Sequence, residues 1–272
     1  MIELKRFFSE INPVVAALIA TTFTWLVTAA GASFVFFFKT MHRGAFDAML
    51  GFTGGVMVAA SVWSLLIPSM DMSENLSVPQ WFPATVGFLL GAFFLYGLDK
   101  YLPHIHINAK EGEDEGIKTQ WHKTTLLVLA ITLHNIPEGL AVGVIFGAAA
   151  EGNADIGVAI ALAFGIGIQN FPEGIAVAMP LRRMGVSRLK AFWYGQLSAI
   201  VEPVAGVLGA FAVIYVEPVL PYALSFAAGA MIYVVVEEVI PETQRDKYTD
   251  VSVMGFIGGF LLMMILDVSL GA

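Results

Sequence analysis

Runs of about twenty or more apolar residues alternate with short polar stretches eight times along this chain, at roughly 13–38, 45–70, 81–101, 124–149, 155–180, 191–215, 219–241 and 251–270. A helix rises ~1.5 Å per residue, so each run is long enough to cross ~30 Å of hydrocarbon. The pattern predicts an all-α polytopic membrane protein, eight transmembrane helices forming one transporter-sized domain over residues 1–272. The connections are short except for 102–122. That stretch holds His104, His106 and the acids Glu111, Glu113, Asp114 and Glu115, and reads as a polar, mobile linker. The first run is longer than a signal-peptide core and follows Glu3, Lys5, Arg6 and Glu10, so it is read as a retained helix.

Composition agrees: hydrophobic residues are 57% and charged residues 13%, and mean hydropathy is +0.77. Nothing suggests a nucleic-acid partner; the lipid bilayer is the expected surrounding. The absence of cysteine excludes disulfides, thiolate metal sites and cysteine nucleophiles. Charge placement then orients the spans. Lys39, Arg43, Lys100, Lys110, Lys118, Lys123, Arg182, Arg183, Arg188, Lys190, Arg245 and Lys247, twelve of the 14 basic residues, follow odd-numbered spans. By the positive-inside rule that side is cytoplasmic and both termini are outside. The opposite loops carry Asp71, Glu74, Glu151, Asp155 and Glu217 without bases, which would modestly concentrate cations or simply solvate turns.

Within the apolar runs one phrase occurs twice: His134-Asn135-Ile136-Pro137-Glu138-Gly139 and, 35 residues on, Gln169-Asn170-Phe171-Pro172-Glu173-Gly174. On a helix His134 shares a face with Glu138, as Gln169 does with Glu173, and Asn135 and Asn170 lie about 100° round. Pro137 and Pro172 each remove a backbone donor and predict kinks in spans 4 and 5 beside these side chains. Both copies fall near mid-membrane. Because the two spans run in opposite directions, a direct repeat in sequence becomes an inverted repeat in space, a plan that transporters use around a midplane site.

Counter-charges decide how to read the acids. No Lys or Arg occurs between Lys123 and Arg182, or between Lys190 and Arg245, although Glu138, Glu173 and Glu202 lie in these intervals. A buried carboxylate without a cation must be protonated, wet, or neutralised by a bound ion. Imidazole, amide and carboxylate donors together suit a borderline divalent ion such as zinc, iron, manganese or cadmium. Glu202, followed by Pro203 in span 6, adds a further carboxylate, and Met57 and Ser61 in span 2 offer a thioether and a hydroxyl. Asp99, His104, Glu237, Glu238 and Glu242 cluster near the basic ends of their spans, as an exit path or as ordinary interfacial charge. Asp47 and Asp267 read as ordinary helix-end acids. Glycine pairs at four-residue spacing (Gly51/Gly55, Gly87/Gly91, Gly143/Gly147, Gly255/Gly259) predict close helix packing.

Three function classes remain: a metal-ion transporter, an intramembrane metallohydrolase, and a proton-coupled organic-solute transporter with His134 as relay. The hydrolase lacks an HExxH motif, a second intramembrane histidine and a base separate from the ligands.

At the two Pro-Glu-Gly phrases, and at Gln196-Leu197-Ser198-Ala199-Ile200-Val201-Glu202-Pro203, the chain resembles the ZIP family of divalent-metal transporters, particularly its bacterial GufA-like branch. The resemblance covers essentially the whole chain. It implies import of zinc foremost, with cadmium, iron and manganese as further cargo, no prosthetic group, and a homodimer. It also implies a binuclear site: His134, Glu138, Gln169, Glu173 and Met57 at one position, and Asn135, Asn170 and Glu202, sharing Glu138 and Glu173, at the other. Some branches have a second histidine where this chain has Gln169, and many carry a longer histidine-rich loop between spans 3 and 4.

Overall fold

The computed structural model describes residues 2–38, 40–101, 104–105, 114–115, 123–215, 219–244 and 247–271. Eight helical spans are long and apolar enough to cross a membrane. Span 1 is α2 (Pro13–Ala32) with the single turn α3 (Phe34–Phe37). Span 2 is α4 (Arg43–Ala60), a π-helical segment (Ser61–Leu66) and α5 (Ile67–Met72). Span 3 is α6 (Trp81–Tyr101), span 4 is α7 (Lys123–Ala150) and span 5 is α8 (Ile156–Arg183). Span 6 is α9 (Arg188–Leu197) followed by α10 (Val201–Tyr215). Span 7 is α11 (Leu220–Val234), a π-helical segment (Val235–Val239) and α12 (Ile240–Thr243), and span 8 is α13 (Thr249–Leu270). These bounds follow the apolar runs closely. Between spans 3 and 4, β1 (His104–Ile105) and β2 (Asp114–Glu115) pair antiparallel, with His104 opposite Glu115.

Local chemistry starts and stops the spans. Asn12 Oδ1 accepts the Val14 N–H at 2.9 Å and Pro13 opens α2. Asp155 Oδ1 accepts the Gly157 N–H at 2.6 Å at the start of α8, so each cap takes up a donor the first turn cannot satisfy itself. Gly152 (φ 75°) and Gly185 (φ 87°) supply the left-handed turns on either side of α8. A short helix, α1 (Ile2–Glu10), precedes the first span. It docks where spans 4 and 5 connect: the Phe8 and Phe146 ring centroids are 5.2 Å apart, and Lys5 pairs with Asp155 at 3.5 Å. Its mixed, nine-residue sequence gives no membrane-length apolar run, which is why hydropathy passes over it.

Spans 2, 4 and 5 are the most enclosed: 67%, 72% and 67% of their apolar windows are buried, against 28% and 22% for spans 3 and 8. Helical structure continues unbroken through Pro137 and Pro172. Departures from α pitch fall instead in spans 2, 6 and 7. Ile67 donates its N–H to Val62 O and Ile240 donates to Val235 O, each five residues back, and each is followed by proline, Pro68 and Pro241. A wide turn relieves the clash and missing donor that proline imposes. The same π-turn and Ile-Pro unit thus recurs in two spans of opposite direction.

Two four-span groups follow from the packing. Spans 1, 4, 5 and 6 contact one another extensively, as spans 2 and 8 and spans 3 and 7 do in the second group. Glycines bring the backbones together. A Cβ on Gly51 or Gly55 would overlap the Ser252 or Phe256 carbonyl, one on Gly87 or Gly91 the Tyr222 or Phe226 carbonyl, and one on Gly143 the Gly206 carbonyl. The predicted pairs therefore mark packing seams. Gly258 has open space on its Cβ side. Gly55→Leu is expected to destabilise the folded protein by about 3 kcal/mol or more through overpacking, a fall of roughly 5–10 °C in melting temperature. Gly258→Leu should melt as wild type does. Thermal unfolding in detergent checks both, and equal melting of the two variants would contradict the assigned seam.

Candidate metal centre

The repeated phrases lie side by side on α7 and α8, and the break in span 6 brings a third element to them. Pro203 cannot donate to Ala199 O, and the chain turns between α9 and α10 with the Glu202 N–H bonding Ala199 O at 3.0 Å. Glu202 therefore sits in the first turn of α10, where the partial positive charge of a helix N-terminus favours a carboxylate. The carbonyls released by the break find side-chain donors. Trp25 Nε1 donates to Gln196 O at 2.9 Å, and Asn135 Nδ2 donates to Ser198 O at 3.0 Å.

The polar groups then form a connected set. Gln169 Nε2 donates to Glu138 Oε1 at 2.6 Å. Asn170 Nδ2 donates to both Glu202 oxygens, at 2.9 and 3.0 Å, and to Thr24 O at 3.3 Å. The Thr24 hydroxyl donates to Glu202 Oε2. The carboxyl groups of Glu138 and Glu173 are close neighbours. Asn135, Glu138, Gln169, Asn170 and Glu202 are fully buried, while His134 and Glu173 are half-buried. No Lys or Arg pairs with these three carboxylates among the described residues.

Each amide turns its NH2 group to a protein acceptor, which leaves oxygen atoms over. Asn135 Oδ1, Glu138 Oε2, Gln169 Oε1, Asn170 Oδ1 and Glu173 Oε2 are buried and have no hydrogen-bond partner. Unsatisfied buried oxygens are costly, about 1–3 kcal/mol each, and five of them in one network form a set of oxygen donors of the kind a cation would satisfy. His134 and Glu173 also line a narrow cavity of about 50 Å³ together with Met57, Glu238 and Glu242. It runs towards the span ends that carry the basic residues. On the other side of the centre Ile145, Phe146, Ile160 and Ile166 pack an apolar core.

The remaining predicted residues divide. His134, Glu237 and Glu238 offer ligand atoms within 4.8 Å of one another, and Glu242 joins Glu238 on the cavity wall. Asp99 is not on that wall; its Oδ2 accepts the Tyr233 hydroxyl at 3.3 Å. The His104 side chain, like His106, lies outside the described residues. Ser61 spends its hydroxyl on Met57 O at 2.8 Å, so Met57 alone of that pair faces the cavity. Asp267 accepts from Ser64 at 2.9 and 2.8 Å. Asp47 is fully buried against Arg43, a more specific placement than a helix-end acid. Sequence reading passed over Thr24 as a partner of Glu202. Its signal was the buried stripe Thr21, Thr24 and Thr28, polar residues on one face of an otherwise apolar span.

An eight-span helical membrane protein that gathers carboxylates, amides and an imidazole at mid-span, with no lysine or arginine among them, is equipped to handle cations. Residues 106–267 match the family described as ZIP Zinc transporter, and the chain belongs to that family: it is a transmembrane metal-ion transporter. It is 42% identical to the human protein named Zinc transporter ZIP11, across 96% of this chain and 98% of the relative. It is 38% identical to Zinc transporter GufA of Myxococcus xanthus, across 94% and 99%, and 36% identical to Zinc transporter ZIPB of Bordetella bronchiseptica, across 90% and 78%. A family of transporters displaces the metallohydrolase alternative.

Asn135→Leu should leave the Ser198 carbonyl without its donor, costing about 1–3 kcal/mol and lowering the melting temperature by several degrees. Isothermal calorimetry with zinc should show weakened binding in the same variant; unchanged melting and binding would argue against the assigned role.

Proposed function

We propose that this protein imports divalent transition-metal ions, zinc foremost, with cadmium, iron and manganese as further cargo, into the cytoplasm through a mid-membrane site for two ions. The observation that carries the reading is the set of five buried, unpartnered oxygens beside His134 and Met57. One ion would draw on His134, Glu138, Gln169, Glu173 and Met57. The other would draw on Asn135, Asn170 and Glu202, sharing Glu138 and Glu173. Imidazole and thioether donors favour a borderline transition ion over calcium or magnesium. The bridging acids place negative charge between the two ions and offset part of their repulsion, and on binding the amide–carboxylate hydrogen bonds exchange for metal–oxygen bonds.

Direction follows from charge. The basic loops assign their side to the cytoplasm, and the cavity from His134 leads that way past Glu238 and Glu242. Ions would therefore leave inward through acids that lower the electrostatic cost of passage. Both termini would lie outside, in the plasma membrane, and a homodimer is the assembly the family resemblance suggests. Asp99 and His104 would lie beyond the cavity on the same side.

In proteoliposomes loaded with chelator, the wild-type protein should accumulate radioactive zinc. The Glu138→Ala/Glu173→Ala double variant should fall to the flux of protein-free vesicles. Uptake by that folded variant at the wild-type rate would sink this route.

A further inference from the structure

The cavity leading from His134 and Glu173 ends at acids that an arginine already holds. Arg43 Nη2 donates to Glu242 Oε1 at 2.8 Å and to the Glu242 carbonyl oxygen at 3.2 Å. Its Nε approaches Asp47 Oδ1 at 2.8 Å, and its guanidinium lies 5.4 Å from the Phe46 ring centroid. Asp47 and Glu242 are 0% and 4% exposed, while Arg43 retains 21% of its side-chain exposure. The guanidinium is thus anchored on four sides at the mouth of the cavity. A planar fork suits two carboxylates at once, which a lysine ammonium does less well.

We propose that Arg43 is a release residue: it occupies the Glu242 and Asp47 carboxylates so that a departing metal ion passes them without being captured. This rests on the transport reading above. The acidic exit has two opposed effects. It attracts a cation away from the centre, yet His134, Glu237 and Glu238, with ligand atoms within 4.8 Å of one another, already supply three donors. Glu242 on the cavity wall, with Asp47 held by the same guanidinium behind it, would complete a coordination shell and turn a passage into a trap. Arg43 removes both from competition, and its fixed positive charge repels an ion that lingers. Because Glu242 follows the π-helical segment carrying Glu237 and Glu238, the arginine adds a positive charge to the acidic end of span 7 from the start of span 2.

A mere structural clamp between spans 2 and 7 would use the same contacts, so the test needs readouts that a clamp does not move. Wild type, R43Q and R43Q/E242Q are purified into nanodiscs for equilibrium zinc binding and reconstituted into vesicles for zinc uptake. R43Q should bind zinc about tenfold more tightly or take up an additional ion, with maximal uptake reduced about tenfold and KM lowered. R43Q/E242Q, which removes the cation and one captured carboxylate together, should return both binding and uptake towards wild type. Wild-type binding and flux in R43Q, or an R43Q defect that E242Q does not relieve, would overturn the proposal in favour of a clamp. If R43Q does not fold, R43Q/E242Q decides: wild-type-like uptake supports the proposal, and loss of uptake or failure to fold overturns it. A wild type without zinc flux defeats the transport reading and this proposal with it, whereas defeat of Arg43 alone requires an active wild type.

Discussion

Taking charge out of water in the middle of a bilayer is the constraint this structure answers to. Moving a carboxylate into low dielectric costs several kcal/mol even after relaxation, and Glu138 and Glu202 are fully buried. The usual remedy, a lysine or arginine, is missing everywhere between Lys123 and Arg182. The chain uses amides and a hydroxyl instead: Gln169 holds Glu138, while Asn170 and Thr24 hold Glu202. A neutral donor stabilises an acid without cancelling its charge, which keeps the acid attractive to a cation. An amide that commits its NH2 group to a carboxylate also has a carbonyl oxygen to spare. The hydrogen bonds that hold the acids therefore aim additional oxygen donors at the same space, which is why the repeated phrases pair each Glu with Asn, and with Gln or His, rather than with more acid.

Proline placement follows from the same need to expose polar groups in apolar surroundings. Pro203 opens span 6 and puts Glu202 at a helix N-terminus within the membrane, a place where backbone partial charge helps an anion. The freed carbonyls do not remain orphans, because Asn135 and Trp25 reach them. Pro68 and Pro241 act differently: each is preceded by a π turn that absorbs the missing donor without separating the helix into two. In span 7 that turn contains Glu237 and Glu238, so the backbone irregularity and the acids nearest His134 coincide. Irregular backbone at membrane depth is tolerated where it lines a cavity or is buried in protein, and both conditions are met here.

The spans were legible because each needs some twenty apolar residues in a row, a signal too long to arise from local packing. The centre was legible for a related reason: polar residues are so rare in these runs that His134, Asn135, Glu138, Gln169, Asn170, Glu173 and Glu202 stood out singly, and their repetition tied them together. What escaped were features set by tertiary partners. Thr24 reads as a small, neutral span residue until Glu202 stands opposite it. Asp47 reads as a helix-end acid until Arg43 and Glu242, 199 residues apart in sequence, are seen to meet. Prolines marked more than the sequence reading drew from them: the helices carrying Pro137 and Pro172 continue, and wide turns precede Pro68 and Pro241 as well. The short helix α1 lacked a periodic run long enough to declare itself.

The division into two groups bears on how access to the centre can change. Thr24, His134, Asn135, Glu138, Gln169, Asn170, Glu173 and Glu202 all belong to spans 1, 4, 5 and 6, whose backbones are held together through glycines such as Gly143 against Gly206 and Gly174 against Thr28. Met57, Arg43, Glu238 and Glu242 belong to the other group. A movement confined to one helix of the first group would have to break the amide–carboxylate network and reopen a backbone seam, leaving buried polar atoms unpaired at about 1–3 kcal/mol each. Displacing the first group as a unit against the second leaves the amide–carboxylate network whole and opens the contacts of Gly157 with Leu270 and of Gly165 with Met263. It would change what the centre faces: Met57 and the exit acids on one side, or the apolar layer around Phe146 on the other. The hydrogen bonds that make the buried acids tolerable thus favour motion of the four-span group as one body over motion of its parts.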